Sequence, residues 1–224
     1  MLTLYGVYRS RASRPLWLLA EIGLAFRHVP VVQAYRLADP GAEDAPLNTA
    51  SPQFLAVSPQ AAIPVMEDQG LVLTESLAIC SYIARRYGGD LGPQNPTEQA
   101  LCEQWALFAA TAIDPPGLEI LYTYDAGHQD TPQGAAKIAA AVASLARPMA
   151  RLENILARQE TLIEGRFTVA DLMLAECLRY LAPHSPVMAA HPAVTAWLAR
   201  CQARPVRAPA RPTTKSCAPP PRMV

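Results

Sequence analysis

The sequence predicts an α+β fold in which a small unit of mixed strands and helices precedes an all-α domain. In residues 1–88, short runs rich in β-branched and aromatic residues alternate with apolar residues at helical spacing. Between residues 97 and 204 the chain is rich in Ala and Leu at helical spacing, and no strand pattern competes there. Residues 89–96 form a predicted Gly- and Pro-rich linker, and residues 205–224 form a predicted Pro-rich tail.

The N-terminal unit reads as strand, helix, strand, then strand, strand, helix. "MLTLYGV" and "FRHVPVV" have strand character, and between them "SRPLWLLAEIGLAF" has helical spacing up to Gly23, the predicted cap. Because a helix crosses between them, these two strands are expected to be parallel. After a long loop with one short helix near residues 52–57, "IPVMED" and "LVLTE" flank the turn "DQG" as a hairpin, and "ESLAICSYIARRYG" follows as an amphipathic helix.

The all-α domain is interrupted by turn signals. These are "DPPG", "TPQG", "EGRF" and "APHSPV", which divide the domain into four or more predicted helices.

Composition excludes several classes of protein. Lys plus Arg and Asp plus Glu both number 19, so the net charge is zero and a nucleic-acid partner is not expected. No apolar run approaches the roughly 18 residues of a membrane span, and the N-terminus lacks the features of a signal peptide, so a cytoplasmic protein is expected. The five cysteines form no CxxC pair and no cluster with His, so neither a metal site nor a disulfide framework is expected.

Pro64 interrupts what otherwise reads as a buried strand, since it stands between Ile63 and Val65. A proline at the first position of a strand loses no interior ladder hydrogen bond. A cis bond before proline is also far less unfavourable than other cis peptides. Pro64 therefore indicates the beginning of a strand with an unusual backbone requirement.

In this order, these features resemble the cytosolic glutathione S-transferases over roughly residues 1–204. The motifs that carry the resemblance are "LYGVYRSRASRPLWLLAEIGLAF", "SPQAAIPVMED", "LTESLAICSYIARR", "FTVADLMLAECL" and "HPAVTAWLARCQARP". The resemblance implies a thioredoxin-like N-terminal domain, glutathione as co-substrate, a homodimer, and conjugation of the glutathione thiolate to a small apolar electrophile in detoxification. It favours the serine-using theta, phi and zeta types of bacterial enzyme. The alternative is a non-catalytic binding or structural protein of the same family.

The resemblance implies a glutathione site in the N-terminal domain. Pro64 is then cis, and the backbone of Ile63 pairs with the cysteinyl part of glutathione as an added strand does. Glu75 and Ser76 hold the γ-glutamyl end where a strand meets a helix N-terminus, whose free N–H groups favour an anion. Ser76 could equally serve only as a helix cap.

Two residues are candidates for activating the glutathione thiol, which is mostly protonated at neutral pH. Ser10 falls at the position of the serine of theta, phi and zeta classes, and Tyr5 at that of the tyrosine of alpha, mu and pi classes. Ser10 is favoured because Tyr5 lies in the apolar strand "LTLY", where a core tyrosine is the simpler interpretation. Arg11 falls near the cysteine of beta-class enzymes, which excludes mixed-disulfide chemistry at that position.

One departure from the family pattern affects the glycyl end of glutathione. Many relatives carry a lysine before the proline, and Ala62 stands there in this chain. Gln60, or Arg36 in the long loop, is the candidate replacement for that contact.

The electrophile is expected between the domains. Tyr8, Trp105, Phe108 and Tyr122 are the candidate lining residues, although aromatic residues at helical spacing also pack in cores.

"FTVADLMLAECL" resembles the buried capping box of the family. Thr168 and Asp171 would each accept a hydrogen bond from the other's backbone N–H. We expect loss of Asp171 to lower stability by about 1 to 2 kcal/mol, as for other caps.

Overall fold

The computed structural model describes residues 1–163 and 165–204, so the predicted tail lies outside the described residues. The N-terminal part contains a four-stranded sheet and three helices. These elements are β1 (Thr3–Tyr5), α1 (Ser13–Ile22), β2 (Arg27–Val29), α2 (Pro52–Leu55), β3 (Val65–Asp68), β4 (Leu71–Leu73) and α3 (Ser76–Tyr87). The predicted order of strands and helices is confirmed, and α1 ends at Gly23 in the left-handed conformation (φ 67°) that glycine adopts without strain.

The sheet has the order β2-β1-β3-β4. β1 and β2 are parallel, as a crossover helix requires, with Leu4 opposite His28. β1 and β3 are antiparallel, with Leu4 opposite Met66, and β3 and β4 form the predicted hairpin. The ends of β1 and β3 therefore lie side by side, so the loop after β1 is close to the residues that precede β3.

The C-terminal part is all-α. Its helices are α4 (Pro96–Phe108), α5 (Asp114–Asp125), α6 (Pro132–Leu156), α7 (Val169–Leu178), α8 (Ser185–Ala189) and α9 (Pro192–Gln202). "DPPG" does not break the helical run as predicted, because a π-helical turn (Ala109–Ile113) joins α4 directly to α5. The two prolines are tolerated because they fall in the first turn of α5, where backbone N–H groups need no helical partner.

The two faces of the sheet are buried differently. One face packs on α1 and α3 through residues such as Leu4, Leu16 and Ile83, and this core continues into the all-α part. The other face carries a small cluster of Val31, Phe54 and Val65 under α2. α7 is buried along nearly its whole length and contacts both α1 and α3, which joins the two parts of the chain.

The predicted capping box begins α7. The N–H of Thr168 donates to Asp171 Oδ2 at 3.0 Å, and the N–H of Ala170 donates to Thr168 Oγ1 at 3.3 Å. Asp171 also accepts hydrogen bonds from the Leu162 N–H at 2.8 Å and from Trp197 Nε1 at 3.1 Å. Its carboxylate therefore ties α7 to α9 and to the segment before α7, which is more than a cap does.

The cysteines behave as small apolar residues. Cys80, Cys102, Cys177 and Cys201 are buried free thiols, and burial raises the pKa of Cys102 to about 11. They remain protonated at neutral pH and offer no nucleophile. Cys217 lies outside the described residues.

Among the described residues, no helix has the combination of length and apolar character that crossing a membrane takes. The cytoplasmic location expected from the sequence stays a prediction.

Candidate functional site

A cleft between the two parts of the chain contains two adjoining cavities. The first, about 490 Å³, is lined by Ser10 and Ile63, and the second, about 900 Å³, is lined by Glu75 and Ser76. Arg11 and Leu118 line both, so the two cavities adjoin, and together they are called the groove below. The groove brings together four of the residues that the family resemblance implies around glutathione, namely Ser10, Ile63, Glu75 and Ser76.

The Ile63–Pro64 bond is cis, as the resemblance implies. Pro64 is buried immediately before β3, and Ile63 is half-buried at the wall of the first cavity. Gly6, at the end of β1, has φ 141°, and a Cβ there would lie 2.7 Å from the Cβ of Ala12. A side chain at Gly6 would therefore push the start of α1 away from the cleft.

Ser10 lies in the turn before α1 and lines the first cavity. Its hydroxyl donates to the Val7 carbonyl at 2.6 Å and accepts from the Ala12 N–H at 3.0 Å. These two bonds hold the oxygen at the mouth of the helix. To donate to a sulfur, the hydroxyl has to rotate away from the Val7 carbonyl, which an exposed turn permits.

Tyr5 packs against the cluster of Val31, Phe54 and Val65 and lines neither cavity. Its hydroxyl donates to Glu67 Oε2 at 2.7 Å, and its ring packs near Phe54 with centroids 6.1 Å apart. Burial, together with the hydrogen bond to Glu67, raises the pKa of Tyr5. The geometry therefore gives Tyr5 a role in packing.

Ser76 begins α3 and is buried at the far end of the groove. Its hydroxyl accepts a hydrogen bond from Arg14 Nη1 at 2.9 Å. Glu75 precedes it with φ 63°, an uncommon conformation for a residue other than glycine, and its side chain is exposed toward the second cavity. The strained turn presents the first N–H groups of α3 to the cavity, where a carboxylate could be bound.

Arg14 and Asp114 form a buried ion pair that joins α1 to α5. Their side chains are only 2% and 8% exposed. Asp114 also accepts hydrogen bonds from Arg11 Nε at 3.2 Å and Nη2 at 2.7 Å. Asp114 was not among the site residues predicted from the sequence. The sequence feature that could have pointed to Asp114 is an acidic residue in the otherwise apolar run "AATAIDPPG".

The predicted glycyl end of the site contains one of the two candidate replacements for the lysine. Arg36 lines the first cavity together with Ala62, and its guanidinium lies 5.6 Å from the Tyr35 ring centroid. Gln60 is exposed and lines neither cavity. Gln33 Oε1 is buried in the same cavity wall without a hydrogen-bond partner among the described residues.

The aromatic residues predicted around the electrophile separate into two groups. Tyr122 is 55% exposed and lines the first cavity. Trp105 is only 3% exposed and packs edge-on against Phe108, with the guanidinium of Arg151 5.0 Å from both rings. Trp105 and Phe108 line neither cavity, because Arg151 of α6 covers the face of α4 on which they lie.

Tyr8 also lies outside both cavities, since its exposed ring stands edge-on to His28. The all-α wall of the first cavity instead carries Leu118 and Leu121 from α5 and Tyr180 from the turn after α7. These residues interrupt no local pattern, so sequence alone could not separate them from core positions.

Among the described residues, no three His, Cys, Asp or Glu side chains are grouped so that they could hold a metal ion.

Comparison with known proteins assigns both parts of the chain. Residues 1–85 match the model of the glutathione S-transferase N-terminal domain, and residues 111–205 match the model of the C-terminal domain. Glutathione S-transferase D7 of Anopheles gambiae is 29% identical over 155 residues, or 67% of each chain. Glutathione S-transferase F10 of Arabidopsis thaliana is 31% identical over 54% of this chain and 52% of its own. The aligned part thus spans between about half and two thirds of these two relatives.

Solved structures extend the similarity to nearly the whole chain. Glutathione transferase F7 of Populus trichocarpa has a TM-score of 0.76 and 28% identity, covering 92% of this chain and 95% of that one. The theta class glutathione S-transferase of Xanthomonas axonopodis pv. citri with glutathione bound has a TM-score of 0.68 at 28% identity, covering 92% and 94%. Glutathione S-transferase III in apo form is 31% identical over 99% of both chains, with a TM-score of 0.72. With both domains matched in chain order, the chain belongs to the cytosolic glutathione S-transferase family.

Proposed function

We propose that the chain binds glutathione in extended form along the groove and transfers its thiolate to an electrophile in the first cavity. The observation that carries this proposal is the shared wall of the two cavities, because it puts Ser10 and Ile63 beside the cavity lined by Glu75 and Ser76. A structure in the same family was solved with glutathione bound.

The γ-glutamyl end of glutathione is assigned to the second cavity. The α-carboxylate would accept hydrogen bonds from the first N–H groups of α3 and from the Ser76 hydroxyl. Arg14 supports this end, because it donates to the Ser76 hydroxyl and adds a positive charge behind it. Glu75, which is exposed beside the cavity, would pair with the α-ammonium group.

The cysteinyl part is assigned to the boundary of the two cavities. The Ile63 backbone would pair with it as a strand, and Ser10 would donate a hydrogen bond to the sulfur. This hydrogen bond favours the thiolate, which attacks the electrophile. In a substitution, the carbon–sulfur bond forms while the leaving group departs with its electron pair, and the thiol proton goes to solvent.

The glycyl carboxylate is assigned to Arg36. Its guanidinium lines the first cavity near Ala62, where many relatives have a lysine, and it forms no ion pair with any residue the structure describes. An arginine can bind a carboxylate with two parallel hydrogen bonds. Arg36 therefore replaces the absent lysine from a different segment of the chain.

A homodimer is proposed around the second cavity. Leu71, Val72 and Leu107 expose large apolar surfaces on β4 and α4, and Leu107 lines that cavity. A second copy covering these residues would also close the γ-glutamyl end of the site. Light scattering on the purified protein should give a mass near 48 kDa, which is twice the chain mass of 24.2 kDa; a mass near 24 kDa would exclude the dimer.

Turnover of 1-chloro-2,4-dinitrobenzene with glutathione tests the reaction. Ser10→Ala is expected to lower kcat about 100-fold, in the range of a lost oxyanion-type hydrogen bond. Tyr5→Phe is expected to keep kcat within about twofold, since the tyrosine hydroxyl is bound to Glu67 and the residue lines neither cavity. Ser144→Ala, an exposed serine on α6, is the matched control. Loss of activity in Tyr5→Phe but not in Ser10→Ala would reverse the assignment.

Thermal shift with glutathione distinguishes the remaining alternative. A non-catalytic member of the family would be stabilised by glutathione but would turn over no electrophile. Stabilisation in wild type that is reduced in Arg36→Gln but retained in Arg147→Gln would support the assignment of the glycyl end. No stabilisation by glutathione at all would exclude both functions.

A further inference from the structure

The wall of the first cavity is unusually rich in positive charge. Arginine side chains outnumber carboxylates four to one among the charged residues that line it. They are Arg9, Arg11, Arg36 and Arg179, against Asp125. With Arg36 assigned to the glycyl carboxylate of glutathione and Ser76 to the other carboxylate, three arginines remain beside Ser10.

Two of these arginines are held in place and still have free donors. Arg11 uses Nε and Nη2 on Asp114, and its side chain is 45% exposed. Arg179 lies 3.1 Å from Glu176 through Nε and donates through Nη2 to Ser13 at 3.1 Å, with 35% of its side chain exposed. Within the described residues, neither Nη1 forms a hydrogen bond.

The ring of Tyr180 packs beneath the guanidinium group of Arg179. Tyr180 is buried, and the guanidinium carbon of Arg179 lies 4.9 Å from its ring centroid. Such stacking and the ion pairs below restrict the guanidinium, so fewer rotamers are lost when a ligand binds. Arg11 and Arg179 therefore lose less conformational entropy than unrestrained side chains would when they bind an anion.

A neutral electrophile would be a poor match for this wall. Covering the guanidinium groups with an apolar body removes their water and provides no acceptor in exchange, which is unfavourable for a charged group. A carboxylate supplies that acceptor, and hydrogen bonds between charged partners are the stronger ones. The apolar side chains Leu118, Leu121 and Tyr122 on the same wall suit the rest of the molecule.

We infer that the electrophile is an organic acid, whose carboxylate is bound by Arg11 and Arg179 and whose apolar body lies against α5. This inference rests on the proposed transferase function and replaces the purely apolar electrophile expected from the sequence. Arg11 and Arg179 are specificity residues for the substrate, and neither takes part in activating the thiol.

A matched pair of aryl chlorides tests the inference. The probes are 4-chloro-3-nitrobenzoate and its neutral methyl ester, which share the ring and the leaving group. With either probe the thiolate forms a carbon–sulfur bond at the carbon that loses chloride, and the thiol proton goes to solvent. Each kcat/KM is divided by the uncatalysed rate with glutathione, because the two rings differ in intrinsic reactivity.

Wild type is expected to favour the acid over the ester by about tenfold or more, the ratio that one charge-assisted hydrogen bond supports. Turnover of the ester with equal or lower turnover of the acid would overturn the inference and leave the transferase function standing.

Variants of Arg179 test its assignment. Arg179→Gln is expected to lower the acid-to-ester ratio about tenfold, and Arg179→Lys less, since an ammonium group keeps the charge but not the paired donors. Arg147→Gln, on the exposed face of α6, is the matched control and should leave the ratio unchanged. A ratio that is the same in Arg179→Gln and in wild type would contradict the role of Arg179.

Binding provides a measurement that needs no turnover. Calorimetry compares 3-nitrobenzoate with methyl 3-nitrobenzoate on full-length protein saturated with S-methylglutathione. Binding of the acid about tenfold more tightly than the ester would support the inference even if neither chloride reacts, in which case the transferase reaction is what fails. Equal binding of the two would overturn the inference whatever the turnover.

Discussion

Two buried carboxylates in the all-α domain, Asp171 and Asp114, are satisfied in opposite ways. Both lie in the first turn of a helix and are almost fully buried. Asp171 accepts only from neutral N–H and O–H groups of its own domain, including Leu162 and Trp197. Asp114 is bound by the guanidinium groups of Arg11 and Arg14, which belong to the other domain.

The contrast separates a folding element from a positioning element. Neutral donors around Asp171 fix how α7 meets α9 and the preceding loop, so its contribution is confined to the stability of the all-α core. The charges around Asp114 hold α1 against α5. Arg14 also donates a hydrogen bond to the Ser76 hydroxyl in the proposed glutathione site. Removing each carboxylate should therefore give different combinations of lost stability and lost binding.

Asp114→Ala is expected to have the largest effect. It leaves Arg14 buried without its carboxylate, which lowers the free energy of unfolding by about 3 to 5 kcal/mol. Affinity for glutathione should also fall, because Arg14 no longer holds the Ser76 hydroxyl. Urea unfolding and calorimetry with glutathione measure the two effects.

Asp114→Asn keeps the shape of the side chain and serves as the second variant if Asp114→Ala does not fold. Unchanged affinity for glutathione in a folded Asp114 variant would remove the link to the site.

Asp171→Ala is expected to lower the free energy of unfolding by about 2 to 4 kcal/mol, more than a cap alone, because several buried donors lose their acceptor. The affinity of the folded fraction for glutathione should not change, since Asp171 lies outside the cleft. Urea unfolding is the measurement, and Asp44→Ala, an exposed aspartate, is the control. A loss of glutathione affinity as large as that in Asp114→Ala would show that Asp171 also positions the glutathione site, which would contradict its role as a folding element only.

The contribution of Asp171 to stability should depend on pH. Burial raises the pKa of Asp171, and this outweighs the hydrogen bonds from Leu162, Thr168 and Trp197 that lower it. A raised pKa in the folded state means that the contribution is full below the unfolded pKa, about 3.9, and declines as pH rises through the folded pKa. The difference in unfolding free energy between wild type and Asp171→Ala should therefore widen from pH 7 to pH 4. A smaller difference between the unfolding free energies of the two proteins at pH 4 than at pH 7, measured by urea unfolding, would contradict this.

Arg11→Gln is expected to have the smallest effect on stability, below about 1 kcal/mol. Its side chain is 45% exposed, so water replaces much of what the ion pair with Asp114 provides. Arg14, at 2% exposure, keeps the carboxylate paired. Thermal unfolding against Arg147→Gln tests this, and a loss as large as that in Asp114→Ala would show that the outer arginine, rather than the buried one, carries the domain contact.

Some features of the molecule were predicted from short stretches of sequence and from the family motifs that they carry. The order of strands and helices, the cis Pro64 and the capping box of Thr168 and Asp171 are confirmed by the structure. Each depends on residues within a few positions of one another, or on a motif that imposes one backbone geometry. Ser10 and Ser76 were predicted as site residues from the same motifs, and their roles stay predictions.

For the aromatic residues, local sequence did not distinguish core positions from cleft positions. Helical spacing in α4 shows that Trp105 and Phe108 share a face with one another, but it does not say which neighbour covers that face. The structure places that face against Arg151 of α6 and turns Leu107 toward the cleft. Tyr5 shows the same ambiguity in a strand, because the alternation of side chains does not say which face of the sheet is covered by which neighbour. The structure shows that the Tyr5 hydroxyl is hydrogen-bonded to Glu67.

By itself, the sequence determined the elements, their order, the family and the backbone turns of the glutathione half. Only the tertiary structure decided which polar side chains meet: Arg14 and Asp114 are 100 positions apart, and Arg179 donates a hydrogen bond to Ser13 across 166 positions. The physical reason is that periodicity and caps describe each segment against its own neighbours, whereas an ion pair across domains depends on how completed helices pack. The proposed substrate side of the cleft includes such contacts, from Arg11 to Asp114 and from Arg179 to Ser13.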